Sequence, residues 1–181
     1  MFAPVLVGAA LVAGALGAAA CGSSGGAAPS TFTTRAPLPA GAEPSNISKM
    51  VCAKEAQQSV ARTLGVTAVV AEPTWVDHVY SCRFAYPNGS FALSVKELSS
   101  WAGTYAYFDS LGKKLGRTST ANGLGQGAFV TSNGSIVVRK DWKVLLVDIS
   151  GLPPRFGVPP TTAADDAFTV ADLIMGCWSG D

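Results

Sequence analysis

His78, the only histidine of the chain, has the side chain best suited to acid–base catalysis. It follows Asp77 in the stretch VDHVY. An imidazole beside a carboxylate can act as the general base that activates a serine for acyl transfer. The G-x-S-x-G pattern that presents such a serine does not occur in the sequence. We therefore predict that His78 is a surface residue at a strand end. The alternative is an enzyme site built from dispersed residues such as Asp77, His78 and Asp141.

The other chemically suggestive residues do not form a cofactor or metal motif. Zinc sites take three or four ligands, and one histidine with four dispersed cysteines does not supply them at a suitable spacing. The glycines of GLGQGAF (residues 123–129) resemble a phosphate-binding loop, but such a loop must be followed by a helix N-terminus, and here a strand is predicted. Asp165 and Asp166 fit the first turn of a helix, where acidic residues interact well with the helix dipole. The sequence predicts no metal, no cofactor and no catalytic residue.

Cys21 has the sequence context of a lipid attachment site. Three alanines, Ala18 to Ala20, precede it, and a Gly/Ser tract follows it. Residues 2–20 are uncharged and largely apolar, as in the h-region of a secretory signal. The stretch resembles a bacterial lipobox in which Ala18 stands where leucine is commonest. We predict a lipoprotein signal peptide over residues 1–20, cleavage before Cys21, and acylation of its thiol. An uncleaved membrane-spanning helix and plain secretion are the alternatives.

Residues 21–44 have the composition of a tether. They are rich in Gly, Ser, Pro and Ala, and their two charged residues are Arg35 and Glu43. Such a segment buries too little apolar surface to offset its ordering entropy. As a flexible coil it would reach roughly 25 Å. We expect it to hold a folded domain on the extracytoplasmic side of the cell membrane, with the bilayer as partner through acylated Cys21.

Residues 45–181 suit a single globular domain. The chain carries 13 basic and 12 acidic residues, giving a formal net charge of +1. The one basic cluster, Lys113-Lys114-Arg117, falls at a predicted helix end, where it suits a solvated terminus. A nucleic-acid partner is therefore not expected.

The element pattern predicts an α+β fold. Helices are expected over 46–64, over the stretch SSWAGTYAYFDSLGKKLG, and after the Thr162–Asp165 capping pattern. Adjacent strands joined by tight turns, with Asn-Gly at 88–89 and 133–134, favour an antiparallel sheet. We expect about six strands and about three helices packed on one face, in the order helix–strands–helix–strands–helix. The repeated Asn-Gly-Ser triplets suggest an internal duplication.

Two further features each have a structural and a binding interpretation. Trp101, Tyr105 and Phe108 fall at helical spacing, which is more typical of a core stripe than of a groove for a lipid or glycan. The stretch GLPPRFGVPP places Arg155 and Phe156 between proline pairs. A stiff loop with an aromatic residue at its tip suits contact with a protein, or it is a simple crossover.

The positions of two cysteines resemble those in a known group of proteins. A cysteine near the start of the first predicted helix, Cys52, and Cys82 in YSCRF precede a compact α+β body. Together with the lipobox, this resembles a broad group of actinobacterial cell-envelope lipoproteins, whose members are mostly uncharacterised. The resemblance implies a disulfide between Cys52 and Cys82. Cys177 would then be a buried thiol, although a pairing of Cys82 with Cys177 stays open.

Two functional interpretations follow. The first is a membrane-anchored envelope lipoprotein whose domain is a non-catalytic module for a protein partner or an apolar ligand. The second is an envelope hydrolase or other enzyme. A cavity without convergent ionisable groups would favour binding, whereas a cleft that gathers His78 with an acid and a serine or thiol would favour catalysis.

Overall fold

The computed structural model describes residues 36–178. The predicted signal peptide (1–20), Cys21 and most of the predicted tether lie outside the described residues. The helices are α1 (Asn46–Met50), α2 (Lys54–Leu64), α3 (Trp101–Leu115) and α4 (Ala163–Cys177). The strands are β1 (Val69–Val70), β2 (Thr74–Val76), β3 (Val79–Tyr86), β4 (Gly89–Glu97), β5 (Arg117–Thr120), β6 (Ala128–Thr131), β7 (Ile136–Lys140), β8 (Lys143–Gly151), β9 (Arg155–Phe156) and β10 (Thr161–Thr162).

The fold is α+β, as predicted, with a larger antiparallel sheet than expected. Its eight strands include the path β1-β3-β4-β8-β7-β6-β5, and β2 pairs with β3 beside it. The short strands β9 and β10 form a separate antiparallel pair. The sequence missed β2 and β5 because neither contains a run of apolar residues. In β5, all four residues are exposed.

The helices do not share one face of the sheet, so that expectation is wrong. In β7, Ile136 and Val138 belong to the core beneath α2 and α4, whereas Val137 belongs to the core beneath α3. Strand β8 alternates in the same way. Strands that are apolar on both faces need cover on both faces. The continuous runs IVV and VLLV (136–138 and 144–147) therefore require α3 on the side opposite α2 and α4.

The predicted hairpin at Asn88-Gly89 forms, but one residue earlier than expected. Tyr86 pairs with Gly89, so Pro87 and Asn88 occupy the two turn positions. Asn88 does not have the positive φ that a type I′ turn needs. Proline at the second position and glycine at the fourth suit a type I turn instead. The second Asn-Gly hairpin does place Gly134 at φ 86°. The two turns therefore differ, and nothing in them supports a duplication.

The predicted helix 46–64 is two helices. Ala53 is extended, with φ −65° and ψ 157°, so the chain turns between α1 and α2. Gln57 Nε2 donates to the Cys52 carbonyl at 2.8 Å, which caps this turn. The break lets α2 pack against α4 while Cys52 stays bonded to β3.

A buried carboxylate attaches α1 to the end of β4. Glu97 is 3% exposed. It accepts hydrogen bonds from the Ser45 amide at 2.8 Å and from the Ser48 hydroxyl. Packing contacts begin upstream of α1, since Ala40 N–H donates to Leu98 O at 3.1 Å and Trp75 Nε1–H donates to Ala42 O at 2.8 Å. Within residues 36–178, no helix has the length and apolar character needed to cross a membrane.

Candidate functional site

A groove runs between α2, the β1 edge of the sheet and the loop that carries β9. It consists of two cavities, of about 500 and 390 Å³, which share Thr67 and Tyr86 in their walls. We call the first the helix cavity and the second the loop cavity. Cavities of this size are typical of small-molecule sites. The groove lies wholly within one compact part of the chain.

Helix α2 forms one wall of the helix cavity. Its core face carries Ala56, Val60 and Leu64. The adjacent face, at i, i+3, i+4, i+7 and i+8 spacing, carries the five residues Lys54, Gln57, Gln58, Ala61 and Arg62. This wall therefore presents amides and cations above an apolar floor, to which Ala68, Val70 and Phe84 contribute.

Strand β3 supplies the residue at which the two cavities meet. Tyr86 lies two residues after Phe84 and so faces the same side of the sheet. Its ring packs edge-on against Phe156 at 4.7 Å, while Phe84 stacks on Phe91 at 4.6 Å. These ring contacts fix the Tyr86 ring, which lines both cavities.

The Tyr86 hydroxyl is buried and has no hydrogen-bond partner among residues 36–178. Burial raises the pKa of Tyr86 to about 12, and the nearby Asp166 carboxylate adds to the effect. The group therefore stays protonated at physiological pH. Buried polar groups normally find a partner. The Oδ2 atom of Asp166 is likewise buried without a partner among the described residues.

The loop cavity is closed by a segment that is tied to α2. Val158 N–H donates to Leu64 O, the last carbonyl of α2, at 2.8 Å. The approach is so close that a Cβ on Gly65, at φ 67°, would lie 2.2 Å from Val158 O. Arg155 Nη2 donates to Pro160 O at 2.7 Å. The loop that the sequence suggested as a stiff contact surface is thus one wall of the groove, with Phe156 buried and Val158 64% exposed.

The groove is electrostatically one-sided. Three cations line it, Lys54, Arg62 and Arg155, and neither cavity has a carboxylate among its lining residues. Asp166 lies behind the wall, 6% exposed, where its Oδ1 accepts a hydrogen bond from Thr161. Burial raises the pKa of Asp166, and neighbouring Asp165 adds to this, while the Thr161 hydrogen bond opposes it.

The residues of the alternative enzyme site are not gathered into a cleft. Asp77 and His78 have φ 50° and 57° and form the two-residue turn between β2 and β3. His78 is exposed, and its ring lies edge-on to Trp75 at 5.6 Å. Asp141 lies in the β7–β8 turn, where its Oδ2 accepts from Trp178 Nε1 at 3.3 Å. The prediction of His78 as a surface residue at a strand end is confirmed.

The aromatic residues of α3 lie on the opposite side of the sheet and are only partly core. Phe108 is buried, but Trp101 and Tyr105 are 38% and 49% exposed. The buried face of α3 is Thr104, Phe108 and Gly112. The interpretation of Trp101 and Tyr105 as core residues is therefore wrong. The buried face of α3 passes through Thr104 and not through Tyr105, one residue away from the predicted stripe.

The other chemically suggestive segments have structural roles. The glycine loop leads into strand β6, as predicted, and its Gln126 N–H donates to Arg139 O at 2.8 Å. Thr162 caps α4 by accepting from Asp165 N–H at 3.1 Å, which confirms the predicted capping pattern. Among the described residues no group of His, Cys, Asp and Glu is arranged to hold a metal ion.

The predicted disulfide is present. Cys52 and Cys82 are bonded, with Cα atoms 5.9 Å apart. The bond joins the turn before α2 to β3 and so ties the helix wall to the floor of the groove. Cys177 is only half-buried and is not a free thiol, so the expectation of a buried free thiol is wrong.

Sequence reasoning singled out Arg155 and Phe156 but missed most of the groove, including Lys54, Arg62 and Tyr86. The polar face of α2 was visible as a helical pattern, and the alternation of Cys82, Phe84 and Tyr86 placed the tyrosine on the core side. No local pattern shows that the Tyr86 hydroxyl lacks a partner. Comparisons of the chain with protein-family models, curated proteins and solved structures find no match.

Proposed function

We propose that this protein is an envelope lipoprotein, anchored in the cell membrane through acylated Cys21, whose extracytoplasmic domain is a non-catalytic binding module. The observation that carries the binding role is the groove. Its lining combines apolar residues, amides, three cations and the side chain of Tyr86. It contains no histidine, cysteine or carboxylate that would perform acid–base or nucleophilic chemistry.

The disulfide supports the extracytoplasmic location. Disulfides persist in oxidising compartments and are rare where glutathione and thioredoxin keep thiols reduced. Cys52 and Cys82 are both almost fully buried, at 5% and 4% exposure. A bond between them stabilises the domain without offering a thiol for redox chemistry, which suits a structural role outside the cytoplasm.

Metabolic labelling tests the anchor. Cells that express the chain are grown with an alkyne fatty acid, and the label is compared between wild type, Cys21→Ser and the matched control Cys177→Ser. We expect label and membrane association in wild type and Cys177→Ser, and neither in Cys21→Ser. Equal label in all three would contradict acylation at Cys21. A peptide that joins Cys21 to Cys177 would also contradict it, because one sulfur cannot form both bonds.

Co-purification tests the binding role. The exported chain is isolated, and small molecules released on denaturation are identified by mass spectrometry. We expect Arg62→Gln/Arg155→Gln to lose the bound compound and Arg83→Gln to retain it, because Arg83 is on β3 but points to the opposite face from Tyr86. Conversion of the compound to a product by the purified chain, abolished by His78→Asn, would establish the enzyme interpretation instead.

A further inference from the structure

We propose that the groove binds an amphiphile with an anionic head, a phosphate or a carboxylate, at the junction of its two cavities and an apolar body along the floor. This inference rests on the proposed binding function and names the class of ligand. It follows from three properties of the groove: the sign of its charge, the spacing of its cations and its apolar floor.

The charge of the lining selects an anion. Arg62 belongs to the helix cavity and Arg155 to the loop cavity, on either side of the shared residues Thr67 and Tyr86. Among residues 36–178, the side-chain hydrogen bonds of these arginines use Nη2 alone, to Ser59 Oγ at 2.9 Å for Arg62 and to Pro160 O for Arg155. A guanidinium has five N–H donors in a planar fork that matches carboxylate and phosphate oxygens, so both arginines keep donors for a ligand.

The spacing of the cations indicates an extended ligand. Lys54 and Arg62 are the first and ninth residues of α2. At a rise of 1.5 Å per residue, their Cα atoms lie roughly 12 Å apart along the helix. A single inorganic anion cannot contact both ends of such a groove. A longer molecule can place its head between the arginines and extend its body toward Lys54.

The floor between these cations is apolar. In the helix cavity it contains Ala68, Val70 and Phe84, and in the loop cavity Val66, Phe156 and Val158. Val158 is 64% exposed although its amide is fixed to α2. Water on these surfaces is displaced favourably by a hydrocarbon body, at about 25 cal/mol per Å² of apolar area. Charge selects the head, and this surface selects the body.

The Tyr86 ring, not its hydroxyl, contributes to the groove. The hydroxyl has no hydrogen-bond partner among the described residues, but it is buried and so is not open to a ligand in the cavities. The nearby charged group is Asp166 behind the wall, whose Oδ2 is likewise buried without a partner in the described chain. The anionic head is therefore assigned to Arg62 and Arg155, and the ring of Tyr86 belongs to the surface that both cavities share.

Binding of short-chain probes tests the inference directly. The exported chain carrying Cys21→Ser, which removes the chain's own lipid as a competitor, is studied by equilibrium dialysis. The probes are dodecyl phosphate, dodecanoate, inorganic phosphate, dodecyl maltoside and dodecyltrimethylammonium, each below its critical micelle concentration where it has one. We expect one-to-one binding of an anionic alkyl probe, and the stronger of the phosphate and the carboxylate identifies the head. Inorganic phosphate should bind far more weakly.

The variants locate the site. Arg62→Gln and Arg155→Gln should each weaken binding roughly tenfold, since each removes charge-assisted hydrogen bonds. Lys54→Gln should weaken it less. The matched controls are Arg83→Gln and Lys113→Gln, which are exposed and outside both cavities; they should leave affinity unchanged. Tyr86→Phe should leave affinity unchanged without lowering the melting temperature, because the hydroxyl that it removes is buried and unpaired among the described residues.

Three results would overturn the inference. If the neutral and cationic probes bind as tightly as the anionic alkyl probes, charge does not select the ligand. Inorganic phosphate binding as tightly as dodecyl phosphate would show that the floor contributes nothing. An unchanged affinity in Arg62→Gln/Arg155→Gln would place the site elsewhere. If the anionic alkyl probes do not bind, but Cys21 is acylated and a compound co-purifies with the chain, the ligand class alone is rejected. If the labelling or co-purification experiment fails, the proposed function is rejected.

Discussion

The two faces of the sheet both combine aromatic rings with arginines, but the arginines make different contacts on each face. On the α3 face, Arg117 lies 4.3 Å from the Phe129 ring centroid and forms an ion pair with Asp109 at 3.2 Å. Arg139 lies 4.2 Å from the Tyr105 centroid and donates to Gln126 O. These cations are held by the protein's own rings and acceptors, even though Arg139 Nε is itself without a hydrogen-bond partner in the described chain.

On the groove face, the cations stand beside rings without lying over them. Among the described residues, no cation–π contact is recorded for Lys54, Arg62 or Arg155. The rings there, Phe84, Tyr86 and Phe156, pack on one another or on the core. The comparison shows that aromatic and basic residues together do not define a binding surface. What distinguishes a candidate site is that its polar groups are not already engaged.

Removing the disulfide should have the largest effect on the difference between the groove face and the α3 face, because this bond joins α2 to the groove floor. It links residues 30 positions apart. In the chain-entropy model, whose mechanism is disputed, a loop of this size contributes roughly 3–4 kcal/mol. We expect Cys52→Ala/Cys82→Ala to lower the free energy of unfolding by about that amount in urea denaturation.

The loss should also be uneven across the molecule. Hydrogen exchange should accelerate in α2 more than in α3, because only α2 is attached through this bond. Cys52→Ala alone serves as the control. It should be about as unstable as the double variant, because either change removes the disulfide. Equal acceleration in both helices would show that the groove wall does not depend on the disulfide.

Replacing an arginine with glutamine should lower stability on the α3 face but weaken binding on the groove face. Arg117→Gln removes stacking over Phe108 and Phe129, so we expect a loss of about 1 kcal/mol in stability, with unchanged probe binding. Arg155→Gln should alter stability by less than about 0.5 kcal/mol, as for other surface substitutions, while weakening binding. Chemical denaturation and dialysis on the same preparations measure both. A stability loss in Arg155→Gln equal to that in Arg117→Gln would remove the distinction.

Much of the fold was predictable from local patterns. The α+β class, the β3–β4 hairpin and the strands β6 to β8 follow from alternation and turn residues, and the α4 cap follows from Thr162 and Asp165. The two-sided cover of the sheet was also encoded, since residues 136–138 and 144–147 are apolar without alternation. The break between α1 and α2 was not, because Ser48 and Glu97 are distant in sequence and their contact fixes α1.

The groove was less predictable, for a physical reason. Its walls come from α2, the β1–β3 edge and the β9 loop, and their relative positions depend on single long-range bonds such as Val158 N–H to Leu64 O. A pattern of residue types predicts which face of an element is apolar. It does not predict which charged groups on that face keep donors for a ligand, and the candidate site depends on those of Arg62 and Arg155.

Asp166 offers a pH test of the groove's rear wall. Because burial raises the pKa of its carboxyl, the folded state holds a proton more tightly than the unfolded chain does. Stability linked to this group is then fully present below the unfolded pKa and declines as pH rises through the raised folded value. We expect Asp166→Asn, compared with Asp165→Asn as control, to flatten the dependence of unfolding free energy on pH in the acidic range. A slope unchanged from wild type would contradict the burial effect.

His78 should show the smallest effect, and its turn determines which substitution is informative. Its φ of 57° lies in the left-handed region, which histidine, asparagine and aspartate tolerate better than alanine does. Alanine would add backbone strain to the loss of the imidazole, whereas His78→Asn removes the ring alone. We expect His78→Asn to change the free energy of unfolding by less than about 0.5 kcal/mol, with only the edge contact to Trp75 lost. Probe binding in the groove should be unchanged, because His78 lines neither cavity. A variant that folds normally but loses a measured activity would move the functional centre from the groove to this turn.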